Sequence, residues 1–262
     1  MDNKKKIYIA VAVAIILALA GVLFFLNKDV ILRDHQQPTE SSLIVGVLPT
    51  EDCLPLYVAE HLELVGNDSS DVFLKHFMAF SECRHAIENK TAHAAVLDTI
   101  LYNIIQKEGI SLSRIYSTPV KWQLLTSKKS RIKRTAQLTD KILIADRYGA
   151  TYQIARGIAD SLRNNSLHVV QVEDLSIRLS MLLNGSADAA ILLPPFSKEA
   201  IARGAMPIST QYTEHPVYTN ILAIRKDALT REEQYQALQN AINIAKDSIA
   251  RFGEQHYLPL LK

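Results

Sequence analysis

The sequence predicts an α/β protein of two similar lobes lying outside the cytoplasm, and three observations carry that reading. Short apolar runs alternate with amphipathic stretches from Leu43 onward, a pattern at residues 86–97 returns at residues 181–192, and a charge-free segment, Ile7 to Leu26, stands near the start. At 262 residues, 48% of them hydrophobic, the chain can bury a substantial core as one large domain or two small ones.

The charge-free segment comes first in the chain. As a helix, Ile7 to Leu26 reaches the span of about 20 residues that a bilayer's hydrocarbon layer requires. Lys4, Lys5 and Lys6 precede it, so the positive-inside tendency keeps the N-terminus cytoplasmic and places the remainder outside. A cleaved leader is the alternative, because Ala18-Leu19-Ala20 has the small-x-small form that signal peptidase reads. Cleavage there would leave the apolar stub Val22 to Leu26, which favours retention. Leu19-Ala20-Gly21 resembles the start of a lipoprotein processing box, but Val22 stands where the lipid-bearing cysteine would be. Residues 1–28 are thus expected to be a cytoplasmic stub and transmembrane anchor. Residues 29–42, polar and containing Pro38, read as a linker.

The alternating elements follow, in the order expected of βα units feeding a mostly parallel sheet. Leu43 to Leu48 is a buried strand, and Asp52 to Leu62 a helix with Leu54, Val58 and Leu62 on one face and Pro55 in its first turn. VFLKHFM, Ser81 to Asn89, AAVL and Thr99 to Lys107 give strand, helix, strand, helix. The second set is KILIA, Thr151 to Asn164, LHVVQV, Asp174 to Asn184, DAAILL and Phe196 to Arg203. A long helix from Arg231 to Phe252 closes the chain, its apolar face running through Leu238, Ile242, Ala245 and Ile249. Within these sets AIENKTAHAAVL echoes MLLNGSADAAIL: helix end, Asn, turn, His or Asp, Ala-Ala, aliphatic strand. Two lobes on one βαβ plan would produce that echo, with Asn and Gly ending the helix in the left-handed conformation. A generic helix-to-strand turn that recurs is the plainer account.

These residues, in this order, resemble a known family. GVLPTEDCLPLYVAEHLEL, KTAHAAVLDT, TPVKWQLLTSKKS, KILIADRYGATYQIARGIADSL, GSADAAILLPP and YTNILAIRKDAL are similar to segments of type 2 periplasmic solute-binding proteins, in the branch serving ABC importers of nitrate, sulfonates, taurine and thiamine-pyrimidine precursors. The resemblance spans Leu43 to about Asp227. It implies a type 2 periplasmic-binding fold with residues 43–119 plus 217–262 as lobe 1 and 120–216 as lobe 2, joined by two crossing segments, closing on a small-molecule ligand by hinge motion. Permease and ATPase subunits in the same membrane are the implied partners, and a monomer is expected. The lobes are shorter than is usual in the family, and the usual lipid-bearing cysteine or cleavable leader looks replaced by a membrane helix.

The site follows from the fold class. In open α/β sheets ligands sit beyond the carboxyl ends of the strands, where helix N-termini aim free N–H groups into the crevice. That rule selects Pro49, Thr50, Glu51, Asp52 and Cys53; Ser81 and Glu82; Asp98 and Thr99; Arg147, Tyr148, Gly149, Ala150 and Thr151; and Pro194, Pro195 and Phe196. Thr50, Asp52, Ser81 and Thr151 are equally suited to capping their helices. The acids Glu51, Asp52, Glu82 and Asp98 argue for a ligand with a basic or hydrogen-bond-donating portion, while Arg147 and Tyr148 suit an anionic or aromatic portion. Trp122, the only tryptophan, lies near the first expected crossing and suits either the cleft or the core.

Other chemistries find less support. Cys53 and Cys83, the only cysteines, open the first two helices of lobe 1 and read as either a disulfide or two packed thiols. His61, His76, His85 and His93 fall at irregular spacings without a carboxylate-backed i, i+4 pair, so no metal site is expected. Walker, G-x-G-x-x-G and G-x-S-x-G motifs are absent from the sequence, and no cofactor is expected. The formal charge of +2 leaves nucleic acid without an electrostatic footprint, and Lys128 to Arg134 reads as a solvated loop. Solute capture without chemistry is therefore the leading reading. A small dehydratase-like enzyme using Glu51, Asp52 or Glu82, and a membrane-anchored sensor, are the alternatives.

Overall fold

The computed structural model describes residues 38–162, 166–214 and 218–261. The expected anchor and most of the linker lie outside these residues. Among the described residues no helix is long and apolar enough to cross a membrane.

The strands assemble into two five-stranded sheets of the same plan. The first contains β1 (Leu43–Val47), β2 (Val72–His76), β3 (Ala94–Asp98), β4 (Leu112–Pro119) and β10 (Thr219–Arg225), in the order β2-β1-β3-β10-β4. The second contains β5 (Gln123–Thr126), β6 (Ile142–Ala145), β7 (His168–Gln171), β8 (Ala189–Leu192) and β9 (Met206–Ile208), in the order β7-β6-β8-β5-β9. In each sheet the first three βα-type strands are parallel, and the fourth position holds an antiparallel strand, β10 or β5, that arrives directly from the other sheet. Two crossings result, Val120 to Trp122 and the stretch between Ile208 and Thr219. Val120 N–H, on the first, donates to Tyr218 O on the second, 3.5 Å away.

Helices cover the parallel strands: α1 (Leu54–His61), α2 (Phe80–Glu88) and α3 (Thr99–Lys107) in the first lobe, α4 (Ala150–Ser161), α5 (Leu175–Asn184) and α6 (Phe196–Ala202) in the second. Both faces of a parallel sheet must be covered, which is why β3 and β8 are buried from end to end and apolar except for Asp98 at the carboxyl end of β3. Two short helices, α7 (Gln211–Glu214) and α9 (Glu254–Tyr257), flank the long α8 (Glu232–Phe252). Helix α8 packs on α1 through Leu238, Ala241, Ile242 and Ala245, while Ile249 at the end of the expected face is only half-buried. Ordered contacts begin before β1: Arg231 donates to Ser41 O and Glu40 O, both at 3.1 Å, and Ser41 donates to Asp71 at 2.8 Å.

The internal echo has a physical cause. In both copies the helix-to-strand turn supplies an acceptor to the first strand of its sheet: His93 Nδ1 accepts from Ile44 N–H at 2.9 Å, and Asp188 Oδ2 accepts from Ile142 N–H at 3.0 Å. The backbone reciprocates, with His93 N–H donating to Ile44 O and Asp188 N–H to Ile142 O. Accepting that bond requires an unprotonated ring nitrogen, and burial holds His93 below the usual histidine value. The left-handed residue is the one after the asparagine in each copy, Lys90 at φ 59° and Gly185 at φ 79°, rather than Asn89 itself. Removing the acceptor leaves a strand N–H unpaired at the edge of the core. His93→Ala and Asp188→Ala are each expected to cost about 1–2 kcal/mol in urea unfolding. His93→Asp, which borrows the acceptor of the other lobe, is expected to lose less than half as much.

Candidate functional site: the cleft between the lobes

The carboxyl ends of both sheets face one another, so the first turns of helices from both lobes meet at the interface. Asp98 stands at its centre. Its Oδ1 accepts from Ile100 and Leu101 N–H at 2.8 and 2.9 Å, closing the start of α3, and its Oδ2 accepts from Ala150 N–H, at the start of α4, at 3.0 Å. One side chain of the first lobe thereby satisfies free helix donors on both sides. Two backbone bonds accompany it, Leu175 N–H to Met78 O at 3.0 Å and Glu51 N–H to Pro194 O at 3.3 Å.

Asp146 directly follows β6 and faces Asp98 from the second lobe. Its Oδ1 accepts from Gly149 N–H at 2.8 Å and Tyr152 N–H at 3.1 Å, while its buried Oδ2 has no hydrogen-bond partner. Gly149 is what lets the two carboxyls come together. A methyl group added there would sit 2.4 Å from Asp98 Oδ2 and 2.6 Å from Asp146 Oδ2, so any side chain is excluded. Burial, and then the charge of Asp146, push the Asp98 carboxyl up to about 7.

Arg178 braces the second lobe from within. It is fully buried on α5, and its guanidinium donates to Val172 O, to Glu173 O at 3.1 Å and to Thr151 Oγ1 at 3.3 Å. Thr151 Oγ1 in turn accepts from Asp146 N–H at 2.8 Å. The arginine therefore fixes the loops after β6 and β7, and burial pulls its own pKa downward.

Beside this centre opens a cavity of about 490 Å³. Phe80, Leu101 and Ile104 give it an apolar wall from the first lobe, with Ser81, Arg84, His85 and Glu108 at its rim; Asp146, Arg147, Tyr148, Gly149 and Glu173 close it from the second. Tyr148 is 48% exposed, and its ring lies between two guanidiniums, Arg147 at 5.0 Å and Arg84 of the opposite lobe at 5.8 Å. Arg84 is already paired with Glu88 and with Glu108, the latter at 2.9 Å. Phe80 also packs on Trp122 of the first crossing, with centroids 5.9 Å apart, and the buried indole Nε1 has no partner.

The residues selected from sequence thus divide. Ser81, Arg147, Tyr148 and Gly149 line the large cavity, whereas Glu51, Asp52 and Pro194 line a smaller one of about 250 Å³ on the hinge side. Pro49, Thr50, Glu82, Asp98, Thr99, Thr151 and Pro195 line neither of these two. Glu51 pairs with Lys198 across the interface at 2.5 Å. Asp52 accepts from Asn220 Nδ2 at 2.9 Å, and burial raises its pKa. Glu82 accepts from Met78 and Ala79 N–H, closing the start of α2, and Thr99 donates to Thr219 O. None of Thr50, Asp52, Ser81 and Thr151 makes the cap bond offered as its alternative role; among the described residues the N-cap side-chain bonds come from Asp98 and Asp174. Cys53 and Cys83 are free, buried thiols: Cys53 Sγ accepts from Thr50 Oγ1 at 3.4 Å, and burial raises both pKa values.

Asp146, Arg178, Arg84 and Asn220 were not selected from sequence. Asp146 had a signal, an acid directly after the strand KILIA just as Asp98 ends AAVLD. Arg178 had one too, being a cation between Leu175, Leu179 and Leu182 on the buried face of α5.

Fold and site together define a class: a two-lobed α/β protein with two crossings and a ligand-sized cleft at facing helix starts. No protein-family model and no curated protein matches the chain by sequence. Solved structures do match it. The alkanesulfonate-binding protein SsuA of Xanthomonas axonopodis pv. citri, bound to MOPS, superposes with a TM-score of 0.68 at 17% identity, covering 85% of this chain and 79% of that one. The periplasmic aliphatic sulphonate binding protein SsuA of Escherichia coli gives 0.62 at 14% identity over 85% and 78%. The periplasmic nitrate-binding protein NrtA of Synechocystis PCC 6803 gives 0.60 at 13% identity over 81% and 63%. The chain shares their fold, that of type 2 periplasmic binding proteins.

Two predictions follow from the carboxyl pair. Between about pH 4 and pH 7 the folded chain retains a proton on Asp98 that the unfolded chain releases, so raising the pH across that window is expected to lower stability. Asp146→Asn should reduce that dependence without removing it, since burial is the larger cause, as read by melting temperature against pH. Gly149→Ala should lower the melting temperature by several degrees, because the new methyl group must displace one carboxyl or part the lobes.

Proposed function

We propose that the protein is the extracytoplasmic solute-binding component of an ABC-type importer, capturing a small organic molecule between its lobes and doing no chemistry on it. The cavity of about 490 Å³ at facing helix starts carries the reading, since it has the size of a small-molecule site and walls from both lobes. The fold it shares with sulfonate- and nitrate-binding proteins supports the same role. In this reading residues 43–119 plus 217–262 move against 120–216 about the two crossings, and the chain works as a monomer. Ser81, Arg147, Tyr148 and Gly149 contact the solute directly, while Glu51, Asp98 and Thr151 act by fixing the closed arrangement. The segment Ile7 to Leu26 tethers the lobes to the outer face of the cytoplasmic membrane, where permease and ATPase subunits receive the solute. An enzymatic role for Glu51, Asp52 or Glu82 has less support, because each is engaged, with Lys198, Asn220 or backbone N–H groups.

Native mass spectrometry of the full chain, purified gently in detergent, is expected to find one small molecule per chain, released unchanged on denaturation. Small-angle scattering should report contraction when it rebinds. A ligand recovered chemically altered after incubation would overturn the reading in favour of an enzyme, and a chain that binds no small molecule would remove it.

A further inference from the structure

We infer that the solute carries a protonated nitrogen, an ammonium or amidinium group, and that this group seats against Asp146 Oδ2 beside Asp98. The inference rests on the solute-binding reading and names the chemistry of its ligand.

The observation that carries it is an acceptor without a donor. Asp146 is 3% exposed, and its Oδ2 is buried with no hydrogen bond, in a residue that borders the interlobe cavity. Buried carboxylate oxygens are ordinarily paired, because stripping water from a charge without replacing its bonds is costly. Here the neighbour is a second carboxyl, for both Oδ2 atoms crowd the space that a methyl group at Gly149 would fill. The Arg178 guanidinium is near enough for its charge to act on Asp146 and, less, on Asp98, and Arg147 lies over the Tyr148 ring at the same cavity, but among the described residues no group donates a hydrogen bond to Asp146 Oδ2. Arg178 spends its N–H groups on Val172 O, Glu173 O, Thr151 and Ile191 O. Arg84 is held by Glu88 and Glu108. Glu173 and Asp174 add negative charge on the second-lobe side, and Tyr218 faces Asp98 from the second crossing.

A donor arriving through the cavity, which Asp146 itself lines, completes the set. It places positive charge between two carboxyls, and its N–H reaches Asp146 Oδ2 while Ala150 N–H keeps Asp98 Oδ2. The proton that burial retains on Asp98 then leaves to solvent, so binding of the cation and loss of that proton are linked. The apolar wall of Phe80, Leu101 and Ile104 takes the carbon portion of the same solute.

Calorimetric titration of the full chain in detergent tests this with agmatine, putrescine and arginine as basic probes and propanesulfonate and nitrate as oxyanion probes. A basic probe is expected to bind, with affinity rising up to about tenfold per pH unit towards pH 7 and levelling above it. Asp146→Asn should weaken that probe at least tenfold while raising the melting temperature of the unliganded protein, opposite effects that misfolding would not give. Asp98→Asn should abolish the pH dependence and serves as the second variant. Binding of an oxyanion probe unaffected by either substitution would overturn the inference and leave solute binding standing. Failure of every basic probe would also overturn it, while solute binding would be judged by whether a molecule copurifies.

Discussion

At the centre of the interface one buried carboxylate answers helix donors from both halves of this molecule. Each helix start presents N–H groups that its own helix cannot satisfy, and the fold brings several such starts to one interface. Asp98 accepts two of these donors from α3 and a third from α4 of the opposite lobe. The contact thus supplies a fixed acceptor at a place where water would otherwise be needed. The arrangement requires Gly149, since no other residue leaves room for Asp98 and Asp146 at the head of the same helix.

Around that junction the two lobes repeat one construction. In both, three parallel strands lie beside an antiparallel strand handed over from the other sheet, so neither sheet can form completely without the other half of the chain. The exchange ties the lobes at two crossings, and their facing ends meet through Asp98, Glu51 and Leu175. The repeat extends to single bonds, for His93 and Asp188 do the same work for Ile44 and Ile142 with different chemistry. What recurs is the need of the first strand for an acceptor, and either an imidazole nitrogen or a carboxylate oxygen meets it.

The charges at the interface sort into those already used and those still available. Glu51, Asp52 and Glu82 are occupied by Lys198, Asn220 and the start of α2. Arg178 is consumed in bracing loops, and Arg84 is shared between two glutamates. Asp146 and the Arg147–Tyr148 pair line the cavity from the second lobe, one acidic and one cationic and aromatic, with Asp146 Oδ2 itself buried and unpaired. Such a division suits an organic molecule with distinct ends better than a small symmetrical anion.

The chain by itself determined the elements that bury both faces. Helix α3 falls on Thr99–Lys107 as the pattern predicts, β1, β6 and β8 lie within the apolar runs read from sequence, and β3 runs one residue past AAVL to Asp98, because residues inside a parallel layer are apolar except where a strand ends at the site. The strands β4, β5, β9 and β10 were not legible as strands: β4 and β9 are partly exposed edges, and β5 and β10 pair with strands distant in sequence, β5 with β8 and β9, β10 with β3 and β4. The loops of the site were legible for the same reason as the strands they follow. Which of their side chains face the cavity was decided only by tertiary structure. Asp52 turns to Asn220, 168 positions along the chain, and Asp98 to Ala150, 52 positions along, and those pairings decide which acids are spent and which one is left.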